Sequence, residues 1–155
     1  FSRTFVTRMQ NCMEENSVPK GQAAMEAILG SAKGTVTDWE PAGEGGILAA
    51  LWKLAADHRA GFHIWLREIP LAQESVELCE LFELNPYRLH SGGCMVAAAD
   101  NGLDVVRAAR DKGIPAAVIG KVEPGIKRLL DTGEGISFLE RPRVDELEAC
   151  LGKSR

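Results

Sequence analysis

The sequence predicts an α/β (α+β) domain with a four- to five-stranded mixed sheet flanked by about six helices. Segments with helical spacing of apolar residues alternate with short apolar runs typical of buried strands, such as Cys94–Ala98 and Ala116–Val122. Glycine and proline separate these segments. With 155 residues, 45% of them hydrophobic, the chain can form one domain with a full core, which excludes an intrinsically disordered protein.

The first segments are predicted to be mainly helical. Ser2–Glu15 places its apolar side chains at helical spacing, which predicts an amphipathic helix. A second helix is expected over Pro19–Leu29, with Gly30 as its stop. Thr35–Thr37 contains β-branched residues and predicts a short strand. The stretch Glu40–Gly46 is too rich in glycine and proline for a regular element, so we expect a loop.

The middle of the chain alternates helix and strand. Ile47–His58 has the period of a helix ended by Gly61, and its predicted buried stripe is Ile47, Leu48, Leu51, Leu54 and Ala55. Phe62–Arg67 is a strand candidate. Gln73–Leu84 is predicted to be a helix, with its core side formed by Val76, Cys79, Leu81 and Phe82.

The last third has the clearest helix and turn signals. Asn101 is the expected N-cap of a helix that closes at Gly113, with Leu103, Val106 and Ala109 or Arg110 marking its period. Ala116–Val122 is expected to be a central strand. Two apolar segments flank the glycine-containing turn 131–135, which predicts a hairpin. Pro142 opens a final helix, with Val144, Leu147 and Leu151 on one face.

Composition narrows the class of protein. The net charge of −4 leaves no general basic field, so binding to nucleic acid is not expected. The sequence contains no apolar run near the ~20 residues that a membrane span needs. The four cysteines are scattered, without a CxxC pair, which predicts reduced thiols in a cytoplasmic protein and no zinc site; they are Cys12, Cys79, Cys94 and Cys150.

The loop before the Ile47 helix is the first candidate binding site. It contains Gly43, Glu44, Gly45 and Gly46. A helix N-terminus carries unpaired N–H groups and a partial positive charge, and glycines allow a ligand to approach closely, so this loop suits a phosphate or a carboxylate. The alternative is a plain loop in which glycine serves only conformation.

A second polar loop precedes the Cys94 strand, and its candidate cleft residues are Asn85, Tyr87, Ser91, Gly92 and Gly93. The alternative is a helix stop at Pro86 followed by a glycine turn.

Two groups of acidic residues are also open to two interpretations each. One would hold Mg²⁺ if its members converge and is otherwise a solvated loop; it comprises Asp38, Glu40 and Glu44. The other forms a helical face, either solvated or a partner surface, and comprises Glu74, Glu77, Glu80 and Glu83.

Three segments resemble the aminoimidazole ribonucleotide (AIR) synthase superfamily. Glu44–Trp52 resembles its EGGxxxALxE segment, and Asn85–Leu89 with the following Ser-Gly resembles its NPYRL.SSG segment. Ile114–Val122 resembles its GIPAAVIGKV strand. The three occur in the family's order, and the resemblance extends over about Phe5–Leu151. It is closest to the AIR synthase-related proteins near the hydrogenase-maturation dehydratases.

The resemblance implies half of a two-part protein. In this family an N-terminal β-rich half dimerises and supplies acidic residues for Mg-ATP, and a C-terminal half supplies a glycine-rich loop and part of the substrate cleft. Family members activate an amide or carboxamide oxygen with ATP. The chain corresponds to the second half, so residues 1–152 are expected to form one domain, followed by a frayed tail. The implied partners are the N-terminal half, a small phosphate-bearing ligand and, as an open alternative, a second copy. The non-Met start at Phe1 fits a truncated chain.

The loop departs from the family pattern Asp-x-Thr-Glu-Gly-Gly. Pro41 replaces the acidic residue and Gly43 replaces the hydroxyl residue. ATP and Mg²⁺ are therefore expected to bind fully only in the longer parent, and the chain alone is expected to be inactive. The alternative is a non-catalytic binding or assembly module with a degenerate nucleotide site. Cys150 lacks the Pro-Arg-x-Cys setting of the reactive cysteine in hydrogenase-maturation relatives, and we interpret it as structural.

Overall fold

A seven-stranded mixed sheet forms the centre of the domain, in the order β2-β4-β1-β5-β3-β6-β7. The computed structural model describes residues 4–8, 26–30, 35–90, 93–142 and 152. The strands are β1 (Thr4–Arg8), β2 (Val36–Pro41), β3 (Gly61–Trp65), β4 (Met95–Ala99), β5 (Ala116–Glu123), β6 (Arg128–Asp131) and β7 (Ile136–Phe138). Neighbouring strands are antiparallel except β3 and β6, which are parallel.

Besides the helical residues 26–30 and 152, the described segments contain three α-helices and two 3-10 turns. They are α1 (Gly46–Asp57), α2 (Gln73–Leu81), α3 (Gly102–Asp111) and the turns Leu66–Glu68 and Pro86–Arg88. Residues 26–30 are also helical, so the helix predicted to stop at Gly30 includes that residue. The helix predicted from Pro142 lies outside the described residues apart from its first residue and the helical residue 152. No helix in the described segments is long and apolar enough to cross a membrane.

The predicted helix over Ser2–Glu15 is wrong at its start, because Thr4–Arg8 is strand β1. This strand lies inside the sheet, between β4 and β5, and is antiparallel to both. Its sequence TFVTR contains β-branched and aromatic residues that suit a strand, and five residues are too few to separate the two periods reliably. The sheet therefore has seven strands instead of the predicted four or five.

Helices pack on both faces of the sheet. Along β4 successive side chains point to opposite faces. Val96 and Ala98 join the core under α1, together with Leu51, Phe62 and Ile64. Ala99, on the other face, packs against α3 in a second core with Ile28, Val105, Val106, Ala109, Ile114 and Ala116. All five residues of the predicted stripe on α1 are buried, which confirms that prediction.

On two helices, apolar residues chosen by their helical spacing are exposed. On α2 only Cys79 is buried, while Leu81 is 74% exposed and Phe82 is 55% exposed. On α3 the buried residues include Val105 and Val106, and Leu103 is 65% exposed. Both errors have one cause, since apolar spacing shows which residues could share a face but not whether another element covers that face.

The three helices end in the same backbone motif. In α3 the amide of Ile114 donates to the Ala109 carbonyl and Gly113 has a φ of +71°, a Schellman ending with the expected glycine. Helices α1 and α2 end the same way with Arg59 and Glu83 in the left-handed position, at φ of +49° and +54°. Gly61 is therefore not the stop of α1 but the first residue of β3.

Candidate functional site

The glycine loop joins the end of β2 to the start of α1. The amide of Ala42 donates to the Cys94 carbonyl at 3.0 Å, which ties the loop to β4, and the amide of Gly46 donates to the Gly43 carbonyl at 3.0 Å, which closes a tight turn. Gly45 is the N-cap of α1 in the left-handed region, at a φ of +78°, and no side chain caps the helix. Glycine is needed at this position because an L side chain is strained there.

Gly46 brings the two predicted loops together. It is buried with a φ of +70°, and an added Cβ would lie 2.5 Å from the carbonyl oxygens of both Tyr87 and Leu89. The backbone of the Pro86–Arg88 turn therefore rests directly on the first residue of α1. The loop over residues 43–46 and the loop beginning at Asn85 form one surface, although about 40 residues separate them in the sequence.

The polar atoms of Asn85 and Tyr87 hold this turn in place. The Asn85 Oδ1 accepts a hydrogen bond from the Tyr87 amide at 3.0 Å, and the Tyr87 hydroxyl donates to the Leu66 carbonyl at 3.3 Å. Burial raises the pKa of Tyr87, so the hydroxyl stays a neutral donor near neutral pH. These two candidate cleft residues therefore support the surface against which Gly46 packs.

The remaining candidate residues fall into three groups. Glu44 is exposed, and Gly43 and Gly45 are partly exposed, so this part of the glycine loop is open to a ligand. Gly93 is in the left-handed region at a φ of +81°, directly before the residue that bonds Ala42. Ser91 and Gly92 lie outside the described residues.

Two side-chain contacts connect β2 to α1 and its C-terminal end beside the glycine loop. Glu40 lies 2.6 Å from Lys53, and Asp38 lies 2.6 Å from His58. The hydrogen bond from His58 lowers the pKa of Asp38, and the hydrogen bond to Glu40 raises the pKa of Lys53. The sequence does not predict this pairing, because the pairing requires Asp38 and Glu40 to belong to strand β2, whereas the composition predicts a loop from Glu40 onward.

The acidic residues near the loop do not converge on a metal. Asp38 bonds the His58 ring at the end of α1, Glu40 pairs with Lys53 of α1, and the exposed Glu44 belongs to the loop itself. Among the residues that the structure describes, no three His, Cys, Asp or Glu side chains form a group that could hold a metal ion. Of the two interpretations of this acidic group, the convergent Mg²⁺ site is wrong.

A second polar cluster joins β3 to β6. The Asp131 Oδ2 lies 3.2 Å from His63 Nε2, and its Oδ1 accepts a hydrogen bond from the Gly133 amide at 2.8 Å. These bonds lower the pKa of Asp131, the Gly133 amide contributing most and His63 next. The cluster connects two parallel strands and the hairpin turn, so its role is to stabilise this end of the sheet.

The variant Asp131→Asn should have a Tm that depends less on pH in the acidic range than the Tm of wild type. Since the pKa of Asp131 is lower in the folded than in the unfolded chain, its ionised form stabilises the fold above the unfolded-state pKa, and the effect is lost as the pH falls through the folded-state pKa. The Tm of the variant should be below wild type at pH 7, and the difference should shrink between about pH 5 and pH 2. Asp111→Asn, at an exposed position on α3, is the control. A constant difference in Tm at every pH would contradict this role.

Solved structures define the class of this fold. The chain matches E. coli HypE, a hydrogenase maturation protein, with a TM-score of 0.79 and 18% identity over 96% of this chain and 52% of that one. It also matches a HypE structure in complex with ATP, with a TM-score of 0.70 and 15% identity over 89% of this chain and 50% of that one. At this identity the matches establish the fold, an AIR synthase-like α/β domain. The chain spans about half the length of both structures.

The sequence establishes the family. The profile of the AIR synthase related protein, C-terminal domain family matches residues 9–130, so the chain belongs to that family. The carbamoyl dehydratase HypE of Rhizobium leguminosarum bv. viciae is 39% identical over 82 residues, which are 50% of this chain and 23% of that protein. These matches confirm the resemblance drawn from the three sequence segments, including its position near the hydrogenase-maturation dehydratases.

Proposed function

We propose that this chain is the C-terminal half of an ATP-dependent AIR synthase-related protein, and that its glycine loop, residues 43–46, binds the phosphate of a nucleotide or another phosphate-bearing ligand. The observation that carries the proposal is the packing of Gly46 under the carbonyls of Tyr87 and Leu89. It fixes the direction of the α1 N-terminus and leaves residues 43–45 open beside the turn. A related HypE has been solved with ATP, which supports ATP as the ligand.

The chemistry of the loop suits a phosphate. The N-terminus of α1, a helix of 12 residues, carries a partial positive charge and no side-chain cap. Gly43 and Gly45 have no Cβ, so phosphate oxygens can approach the backbone closely. The Gly46 amide already bonds the Gly43 carbonyl, so Gly46 shapes the site while residues 43–45 face the ligand.

The two carboxylates of β2 beside the loop already have partners, since Asp38 bonds His58 and Glu40 pairs with Lys53. We therefore expect the carboxylates that would hold Mg²⁺ to come mainly from the N-terminal half. In the full-length protein, ATP would supply a phosphoryl group that activates an amide oxygen of the substrate. The residues of this chain would bind and orient the phosphates. We expect no ATP turnover by the isolated chain, and turnover would contradict its assignment as a half-enzyme.

Restoring the family residues in the loop tests this site. Pro41 is exposed, and a Cβ added to Gly43 has no atom within 4 Å, so the double variant Pro41→Asp, Gly43→Thr should fold normally. The added hydroxyl can donate to a phosphate oxygen, and the added carboxylate can accept from a water bound to Mg²⁺, so binding of Mg-ATP should tighten about two- to tenfold in calorimetry. Gly135→Thr, at an equally open turn position, is the control.

The second candidate function is a non-catalytic binding or assembly module. It is favoured by the loss of the acidic and hydroxyl residues at positions 41 and 43, which weakens a phosphate site. If the restored variant binds Mg-ATP no more tightly than wild type, the nucleotide site is not functional and the assembly role is the better account.

A further inference from the structure

Helix α2 exposes an apolar surface. Leu78, Leu81 and Phe82 are 56%, 74% and 55% exposed, and their i, i+3, i+4 spacing places them on one side of the helix end. We call these three residues the α2 patch. Single exposed apolar residues are common on proteins, but adjacent large ones usually mark a contact surface.

Four glutamates lie on α2 and at its C-terminal end, in the same segment as the α2 patch. Glu74, Glu77, Glu80 and Glu83 are all exposed, and no ion pair joins any of them to a described residue. Glu77 accepts one hydrogen bond, from Gln73 at 3.0 Å. All charged residues from position 73 to position 84 are therefore negative, and none of them forms an ion pair with a described residue. A complementary surface must be cationic around an apolar centre.

The backbone holds the α2 patch in a defined shape. The amide of Leu84 donates to the Cys79 carbonyl at 2.8 Å, and Glu83 takes the left-handed position at a φ of +54°. Cys79 is buried and anchors the helix, while the chain continues directly into the Asn85 turn that packs on Gly46. The surface is thus presented by an anchored helix end and requires little ordering on binding.

We propose that the α2 patch docks a basic amphipathic helical segment of a partner protein. Its apolar side chains would cover Leu78, Leu81 and Phe82, and its Lys and Arg side chains would face the four glutamates, which is the usual helix-on-surface mode of recognition. A second copy of this chain does not fit, because two α2 patches would bring eight glutamates together. The inference is independent of the proposed nucleotide site.

The test uses a fluorescein-labelled synthetic helical peptide with leucines on one face and lysines on the other. A matched peptide carries glutamates in place of the lysines. Binding is followed by fluorescence anisotropy at low and high salt. Two double variants of the chain are compared, Leu81→Ser with Phe82→Ser, and Glu77→Lys with Glu80→Lys. All four positions are exposed, so the fold should be retained, and circular dichroism checks this.

The controls are Leu103→Ser, an equally exposed leucine on α3, and Glu134→Lys, which is 88% exposed in the hairpin turn. We expect the lysine peptide to bind, to weaken with salt, and to bind each double variant at least about tenfold more weakly, with the controls unchanged. The proposal is overturned if the lysine peptide does not bind, if the glutamate peptide binds equally, or if the controls lose binding equally. It is also overturned if sedimentation shows self-association of the wild type that the Leu81→Ser, Phe82→Ser variant abolishes.

Discussion

The variant Gly46→Ala should unfold at a much lower denaturant concentration than wild type. A methyl group at this position would lie 2.5 Å from two backbone carbonyl oxygens, those of Tyr87 and Leu89, which cannot move without displacing the whole turn. The residue also has a φ of +70°, which is strained for alanine. Together these effects should reduce the free energy of unfolding by about 2 to 5 kcal/mol.

Gly43→Ala is the matched control for this loop. A Cβ at Gly43 meets no atom within 4 Å, and the residue is not among those with positive φ. Its free energy of unfolding should stay within about 0.5 kcal/mol of wild type. Equal stabilities of the two variants in a urea titration would mean that the turn does not rest on Gly46, and the geometry of the candidate site would be wrong.

The variant Phe62→Ala should produce the largest loss from the core. Phe62 is fully buried, at 0% exposure, in the core that α1 forms with β3 and β4. Removing a buried phenyl ring loses its transfer free energy and leaves a cavity, so the free energy of unfolding should fall by about 3 to 5 kcal/mol.

Phe138→Ala is the control for this second prediction. Phe138 is 65% exposed on the edge strand β7, so its truncation should change the free energy of unfolding by less than about 0.5 kcal/mol. A comparable loss in both variants would show that the edge strand is buried in solution, contrary to the exposure described above.

Local patterns were sufficient for the elements whose apolar period, cap or turn residues are visible within a short stretch of sequence. The buried stripe of α1, the strands β4 and β5, the β6–β7 hairpin and the Asn101 cap all follow from periodicity or turn chemistry, and the structure confirms them. The Asn101 side chain accepts the Leu103 amide at 3.2 Å, as an N-cap should. Their apolar periods, caps and turn residues lie within a few neighbouring positions, which a sequence displays directly.

Features that depend on distant segments were not predictable in the same way. Strand β1 exists because β4 and β5 pair with it from both sides, which local spacing does not reveal. The ends of α1 and α2 were also missed, since Arg59 and Glu83 take a conformation for which sequence analysis expects glycine. Leu81 and Phe82 fit an apolar period, yet no described element covers them.

In the candidate site, too, the separate segments were predictable from the sequence but the contact between them was not. The glycine loop and the Asn85 turn were each recognised from their composition, but their contact at Gly46 brings together segments distant in sequence. A glycine is required at position 46 for two reasons: the backbone of the Tyr87–Leu89 turn approaches it closely, and its φ is positive. The resemblance to AIR synthase-related proteins linked the two segments by order, and the structure supplies the contact between them.

The most direct test of the central claim is an amide-resolved NMR titration of this chain with Mg-ATP, and in parallel with inorganic phosphate. We predict that the largest shifts from both ligands fall on the amides of Gly43, Glu44 and Gly45, with smaller shifts at the Tyr87–Leu89 turn. Absence of shifts at residues 43–45, or shifts concentrated elsewhere in the chain, would contradict the assignment of the glycine loop as the phosphate site.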